Sequence, residues 1–106
     1  MDSLLKFIKN EHKRLLAFYR FSDKTKLEYP IVVKTMEELG ELCEAIFASN
    51  GIQRKSKLKR FNKHKTKIED EIADVLITVL ILAENLEIDA KKALDRAIKK
   101  RIGRRY

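Results

Sequence analysis

Apolar residues recur at spacings of three and four residues through most of the chain, which is the period of an amphipathic α-helix. Polar connections separate four such stretches. The stretches predict helices over about residues 3–21, 30–49 and 67–86, and from the N-cap Asp89 to about Gly103. Glycine (3) and proline (1) are scarce, as in a helical chain. The pattern predicts an all-α fold in a single domain over residues 1–106.

Three local signals give these boundaries. Pro30 is expected at a helix start, where its missing N–H has no partner to lose. Thr66 and Glu69 match the T-x-x-E capping box, so the third helix is predicted to begin near Lys67. Asp89 is a favourable N-cap for the fourth helix.

The segment between the second and third helices is rich in positive charge. The chain carries a net charge of +8, which favours polyanionic partners. Residues 54–67 contain eight Lys or Arg residues and no acid. We interpret residues 51–66 as a solvated basic loop. A flap that attracts phosphates and an arm that binds nucleic acid are the alternatives.

The N-terminal residues lack a basic signal-peptide region, and no apolar run approaches the roughly 20 residues that span a bilayer. We therefore expect a cytoplasmic protein with no membrane partner. The one cysteine, Cys43, cannot form an internal disulfide and is interpreted as a core thiol. His12 is interpreted as a hydrogen-bonded histidine at the edge of the core. A contact to a bound base or phosphate is its alternative.

The strongest candidate chemistry is a pair of acidic motifs on the second and third helices. Glu38 and Glu41 are three residues apart, as are Glu71 and Asp74, so each pair lies on one helix face. At about 100° per residue, each pair falls at the same edge of the apolar stripe of its helix. If the stripes pack together, four carboxylates converge. Such a cluster is costly unless a cation compensates it, and oxygen ligands favour Mg²⁺ or Mn²⁺.

Two further polar residues project from the same edge. Lys34 lies one turn before Glu38, and Asn85 lies three turns beyond Asp74. Lys34 is interpreted either as an ion-pair partner of Glu38 or as a phosphate contact. Asn85 is interpreted either as a surface residue near a helix end or as a contact to a sugar or base.

A cluster of acids with a cationic fringe suits a nucleoside triphosphate bound together with Mg²⁺. The cation would polarise phosphoryl oxygens, so the arrangement predicts hydrolysis of a phosphoanhydride. Glu41 is the first candidate for the base that takes the proton of the attacking water, and Glu38 is the second candidate catalytic carboxylate.

The motif Glu37-Glu38-x-x-Glu41, followed by Glu71-x-x-Asp74, resembles the EExxE…ExxD signature of the MazG-like all-α nucleoside triphosphate pyrophosphohydrolases. The resemblance covers roughly residues 27–106. It implies a four-helix bundle assembled as a homodimer or homotetramer. It also implies Mg²⁺-dependent cleavage of a (d)NTP by water to a (d)NMP and pyrophosphate, in the maintenance of the nucleotide pool.

The resemblance also assigns individual residues. Residues 38, 41, 71 and 74 match the family's metal ligands, whereas Glu37 points away from them on the helical wheel. Lys100 and Arg104 align with basic residues near the family's C-terminus, which implies contacts to phosphates.

Three alternatives and one further expectation accompany this interpretation. The related phosphoribosyl-ATP pyrophosphatases are a second enzyme class. A non-enzymatic alternative is a basic helical oligomer that binds nucleic acid through residues 54–67. The third alternative is a protein that holds a nucleotide without hydrolysing it. The third helix carries apolar residues on several faces, including Ile77, Leu80 and Ile81, so we expect a subunit interface and a homo-oligomer.

Overall fold

The chain forms four α-helices. A computed structural model describes the backbone of residues 2–20, 24–50 and 57–104, and the side chains of residues 2–20, 26–49 and 65–104. The helices are α1 (Asp2–Tyr19), α2 (Lys24–Asn50), α3 (Lys57–Asn85) and α4 (Ala90–Gly103). The described residues contain no strand, which confirms the all-α prediction. The bundle arrangement, the single domain and the homo-oligomer stay predictions.

Helix α2 begins six residues before its predicted start, so the placement of Pro30 at a helix start was wrong. Pro30 lies inside the helix. It has no N–H to donate to the carbonyl of Lys26, and an interior proline costs about 3 kcal/mol. Burial on both sides offsets this cost, because Leu27 is 0% and Ile31 is 4% exposed.

Helix α3 begins ten residues before its predicted start. Residues 57–66 are helical, so their prediction as loop was wrong, and residues 51–56 lie outside the described part of the chain. Thr66 is therefore not an N-cap. Glu69 lies 4.0 Å from the ammonium of Lys65, one turn back along the same helix. The segment is rich in lysine, and lysine is a good helix former, which explains why the helix continues through it.

The turn between α3 and α4 follows well-known capping geometry. The amide of Ile88 donates to the carbonyl of Ala83 at 2.9 Å, and the amide of Glu87 donates to the carbonyl of Glu84 at 3.1 Å. Glu87 itself has a positive φ of 58°. These features form a Schellman motif, which satisfies the last carbonyls of α3. The predicted N-cap is confirmed, because Asp89 Oδ1 accepts a hydrogen bond of 3.0 Å from the amide of Lys92.

The chain divides into two compact units. The first contains residues 1–28 and 80–106, and the second contains residues 29–79. Buried side chains of the first unit are Ile8, His12, Leu27, Ile81 and Asn85. Those of the second unit are Ile31, Glu38, Ala45, Ser49, Ile68 and Thr78.

Each unit leaves large apolar side chains exposed. In the second unit, Met36 and Phe47 are both 69% exposed and Leu76 is 58% exposed. Cys43 is exposed as well, so its interpretation as a core thiol was wrong. It lies about 140° around the helix from the buried Glu38. No helix in the described part of the chain is both long enough and apolar enough to span a membrane.

Candidate metal centre

Helix α2 places Glu38 in the middle of its buried face. Ile31 and Ala45 lie seven residues to either side of Glu38, which is close to two helical turns, and both are buried. Glu38 is only 7% exposed. Apolar periodicity predicts this carboxylate at the edge of an apolar stripe. The structure instead turns the helix so that the acid faces inward.

Helix α3 turns Glu71, the first acid of the second motif, partly inward. Glu71 is half-buried and lies between Ile68 and Thr78, both of which are buried. Asp74 is exposed in the next turn. The hydroxyl of Thr78 donates to the backbone carbonyl of Asp74 at 2.6 Å, which ties a buried polar side chain to the turn that carries this ligand.

Three of the four predicted ligands converge. Glu38, Glu71 and Asp74 each offer one carboxylate oxygen, and these oxygens lie within 4.8 Å of one another. The fourth predicted ligand, Glu41, is exposed and is not in this group. It is close enough for its charge to raise the pKa of Glu71. The three converging acids are a candidate metal centre, and Glu41 lies beside it.

The surrounding protein neutralises only part of the negative charge of these carboxylates and leaves some of their oxygens without hydrogen-bond donors. Oε1 of Glu38 lies 3.0 Å from the ammonium of Lys34, which confirms the predicted ion pair. Among the described residues, Oε2 of Glu38 and Oε2 of Glu71 are buried without a hydrogen-bond partner. Buried oxygens of this kind are uncommon, and a cation between them would satisfy both.

The pKa of Glu71 reflects the same charge crowding. Loss of contact with water is the largest cause that raises the pKa of this carboxyl group. The negative charges of Glu41, Asp74 and Glu38 raise it further, in that order. A divalent cation favours the ionised form of its ligands and would reverse this shift.

The structure does not bring every predicted site residue into the second unit. Asn85 is buried in the first unit, where its Oδ1 lies 2.8 Å from Nε2 of His12. This confirms the interpretation of His12 as a hydrogen-bonded histidine at the core, and it excludes a surface position for Asn85. Lys100 and Arg104 are exposed on and just after α4, also in the first unit. The substrate contacts of these residues and of Lys34 stay predictions.

Comparison with known proteins identifies the family. The family model of the MazG nucleotide pyrophosphohydrolase domain matches residues 29–106, which include both acidic motifs. The chain belongs to this family. The MazG match begins within α2 and leaves α1 outside it.

A curated relative extends the similarity to nearly the whole chain. This MazG-family chain is 29% identical over 99 residues to the uncharacterized protein YpjD of Bacillus subtilis (strain 168). The similar region covers 93% of the present chain and 84% of that protein, so it takes in part of α1 as well. No solved structure matches the chain.

Proposed function

We propose that this protein is a Mg²⁺-dependent nucleoside triphosphate pyrophosphohydrolase, which cleaves a (d)NTP with water to a (d)NMP and pyrophosphate and so maintains the nucleotide pool. One observation carries the proposal. Within the region matched by the MazG family, three carboxylates from α2 and α3 converge, and two of their oxygens are buried without a partner. Such a site fits a hard cation better than it fits a purely structural role.

Glu38, Glu71 and Asp74 would hold the cation, because their oxygens lie within 4.8 Å of one another. Oxygen-only donors favour Mg²⁺, with Mn²⁺ as a substitute. When bound, the cation supplies charge stabilisation to phosphoryl oxygens. Lys34 already lies at this cluster with 59% of its side chain exposed, so it can also reach a phosphate outside it.

Glu41 is proposed as the general base. It lies three residues from Glu38, is exposed, and remains accessible to a water molecule beside the cluster. Glu38 is the less suitable base, since one of its oxygens is already paired with Lys34. Lys100 and Arg104 are proposed as additional phosphate contacts, and Asn85 as a sugar or base contact.

A homo-oligomer, either a dimer or a tetramer, is part of the proposal. Exposed apolar side chains on both helices of the second unit support it. They are Tyr29, Val32, Val33, Met36, Leu39, Ile46, Phe47, Ile72, Leu76 and Val79. An apolar surface of this extent is typical of a protein interface. A cytoplasmic location completes the proposal.

The test measures pyrophosphate release from canonical and damaged (d)NTPs, and from phosphoribosyl-ATP, in Mg²⁺ and in EDTA. Wild type is compared with Glu41→Gln and with Glu44→Gln, the same change at an exposed glutamate of the same helix that is not one of the converging carboxylates. We expect Mg²⁺-dependent release, a loss of about 10²- to 10⁴-fold in Glu41→Gln, and near wild-type rates in Glu44→Gln.

Each other outcome has a defined meaning. Release from phosphoribosyl-ATP alone would assign the protein to the related enzyme class. Full activity of Glu41→Gln would remove this residue from catalysis. Absence of any turnover, together with salt-sensitive binding of RNA or DNA, would favour the nucleic-acid-binding alternative.

A further inference from the structure

Helix α4 belongs to the first unit but buries none of its side chains there. Every residue from Lys91 to Arg104 is exposed, and only Ala90, at the start of the helix, is half-buried. A helix of 14 residues is marginal in water without tertiary contacts. The apolar side chains of α4 therefore call for a further partner surface, because their own copy of the chain leaves each of them about half exposed.

The exposed face of α4 has a defined pattern. Leu94, Ile98 and Ile102 follow one another at four-residue spacing, and each is more than half exposed. At 100° per residue, Lys91 falls within this stripe and Arg101 falls about 20° from its edge at Leu94. The face is an apolar stripe that contains Lys91 and has Arg101 at its edge.

The same unit contains a cleft with complementary properties. It lies between α1, the end of α3 and the turn into α4, and it has a volume of roughly 400 Å³. Its apolar lining consists of Leu5, Ile8, Leu80, Ala83, Ile88 and Ala90. The charged residues that line it are Lys9, Glu84, Glu87 and Asp89, so negative charge predominates in a chain whose net charge is +8.

We propose that the cleft receives helix α4 of a second copy of this chain, and that the two copies exchange α4 reciprocally. The apolar stripe would fill the cleft, and Lys91 and Arg101 would face Glu84 and Glu87. Residues 90–104 hold seven Lys or Arg residues and one acid, which gives the helix the charge that this cleft attracts. The helix of the same copy does not fill the cleft, because Ala90 is its one residue in the lining and residues 91–104 are exposed.

Reciprocal exchange has a physical advantage. In a two-fold arrangement each copy contributes both a helix and a cleft, so the contact is made twice. This doubles the buried area, which brings two small contacts closer to the size of a stable interface. The inference goes beyond the proposed homo-oligomer, because it names a surface separate from the exposed apolar residues of the second unit.

The test uses two charge-reversed proteins. One carries Glu84→Lys and Glu87→Lys in the cleft, and the other carries Lys91→Glu and Arg101→Glu on α4. None of these residues belongs to the candidate metal centre. Each protein alone would place like charges against each other, so we expect its self-association to weaken by roughly tenfold or more. Mixing the two restores opposite charges at both contacts, and mixed assemblies should form.

The measurements are analytical ultracentrifugation of each protein and native mass spectrometry of the mixture. The matched control is Lys92→Glu with Arg96→Glu, an equal change of charge on the opposite face of α4, which should assemble as wild type does. Circular dichroism confirms that all variants keep their helices.

Four results would overturn the proposal. A wild type that stays monomeric excludes α4 exchange and the homo-oligomer together. An oligomer that is insensitive to the reversals excludes α4 exchange alone. Loss of association that mixing does not restore means that the charges do not face each other. A monomer that instead binds phosphatidylserine vesicles through Lys91 and Arg101 assigns the stripe to a membrane surface.

Discussion

Nε2 of His12 donates a hydrogen bond of 2.8 Å to Oδ1 of Asn85, across 73 positions of the sequence. Both side chains are buried, at 5% and 3% exposure. Helix α1 lies outside the region matched by the MazG family, and Asn85 is the last residue of α3, inside that region. The hydrogen bond therefore connects the N-terminal helix to the family's own part of the chain.

Removing either partner should destabilise the protein. His12→Ala or Asn85→Ala leaves a buried polar atom without its partner, at a cost of about 1–3 kcal/mol in the free energy of unfolding. Lys13→Ala, an exposed change on the same helix, should cost little. Urea denaturation measures all three. If His12→Ala costs no more than Lys13→Ala, the hydrogen bond does not hold α1 in place.

The raised pKa of Glu71 gives the metal-free protein a characteristic pH dependence. Because the folded state binds this proton more tightly than the unfolded chain does, stability is lost as pH rises from the ordinary value of 4.5 through the folded pKa. Glu71→Gln should therefore raise the melting temperature in EDTA at neutral pH, and the gain should vanish below pH 4.5.

The control for this experiment is Asp70→Asn, an exposed neighbour outside the carboxylate cluster. It removes one negative charge from the same helix turn and should show no comparable gain between pH 4.5 and neutrality. If both variants gave the same dependence of melting temperature on pH, the net charge of the protein, and not the carboxylate cluster, would control the gain in stability.

Mg²⁺ should stabilise the folded protein by mass action, since the three carboxylates converge only in the folded state. At a concentration 100 times the dissociation constant, the gain is about 2.7 kcal/mol. Asp74→Asn removes one ligand and should weaken this response, whereas Glu44→Gln should keep it. Thermal melting with Mg²⁺ titrated into EDTA-treated protein measures the effect. Equal responses of the two variants would argue against a metal at this cluster.

Gly40 gives a prediction that is independent of the metal. It is helical, and a methyl group added at its Cα would meet nothing within 4 Å. Gly40→Ala should therefore stabilise the protein by about 0.5–1 kcal/mol, since alanine loses less backbone entropy in a helix. The reverse change at an exposed position of the same helix, Ala48→Gly, should cost a similar amount. Chemical denaturation tests both, and a destabilising Gly40→Ala would show that this position needs glycine.

The all-α class, the existence of α1 and the bounds of α4 could be predicted from the sequence because local patterns determine them. Apolar periodicity marks α1, and Asp89 caps α4. The starts of α2 and α3 could not be predicted in this way. At Pro30, burial of Leu27 and Ile31 outweighs a local helix-breaking signal. At Thr66, the capping motif lies within a longer run of helix formers, so the hydroxyl has no helix end to cap.

The sequence also predicted the four acids but not their orientation. The apolar stripe expected to be buried in α2 includes Leu39, which is 51% exposed. The buried face instead follows the seven-residue spacing of Ile31, Glu38 and Ala45. That spacing was visible in the sequence, but hydrophobicity alone gives no reason to put a glutamate in the middle of a buried face. The proposed cation site would supply such a reason.

The ion pair between Lys34 and Glu38 has a consequence for how the cluster would be filled. The ammonium occupies one oxygen of Glu38 and leaves the other without a partner, while most of the lysine side chain remains in water. The ammonium of Lys34 thus acts as a counterion of Glu38 and is attached through a flexible side chain. A divalent cation that binds here would take over the electrostatic role of the ammonium. Lys34 could then leave Glu38 without exposing a buried side chain, because most of the lysine already lies in water. The empty and filled forms of the cluster would then differ by an exchange of cations, with no repacking of α2.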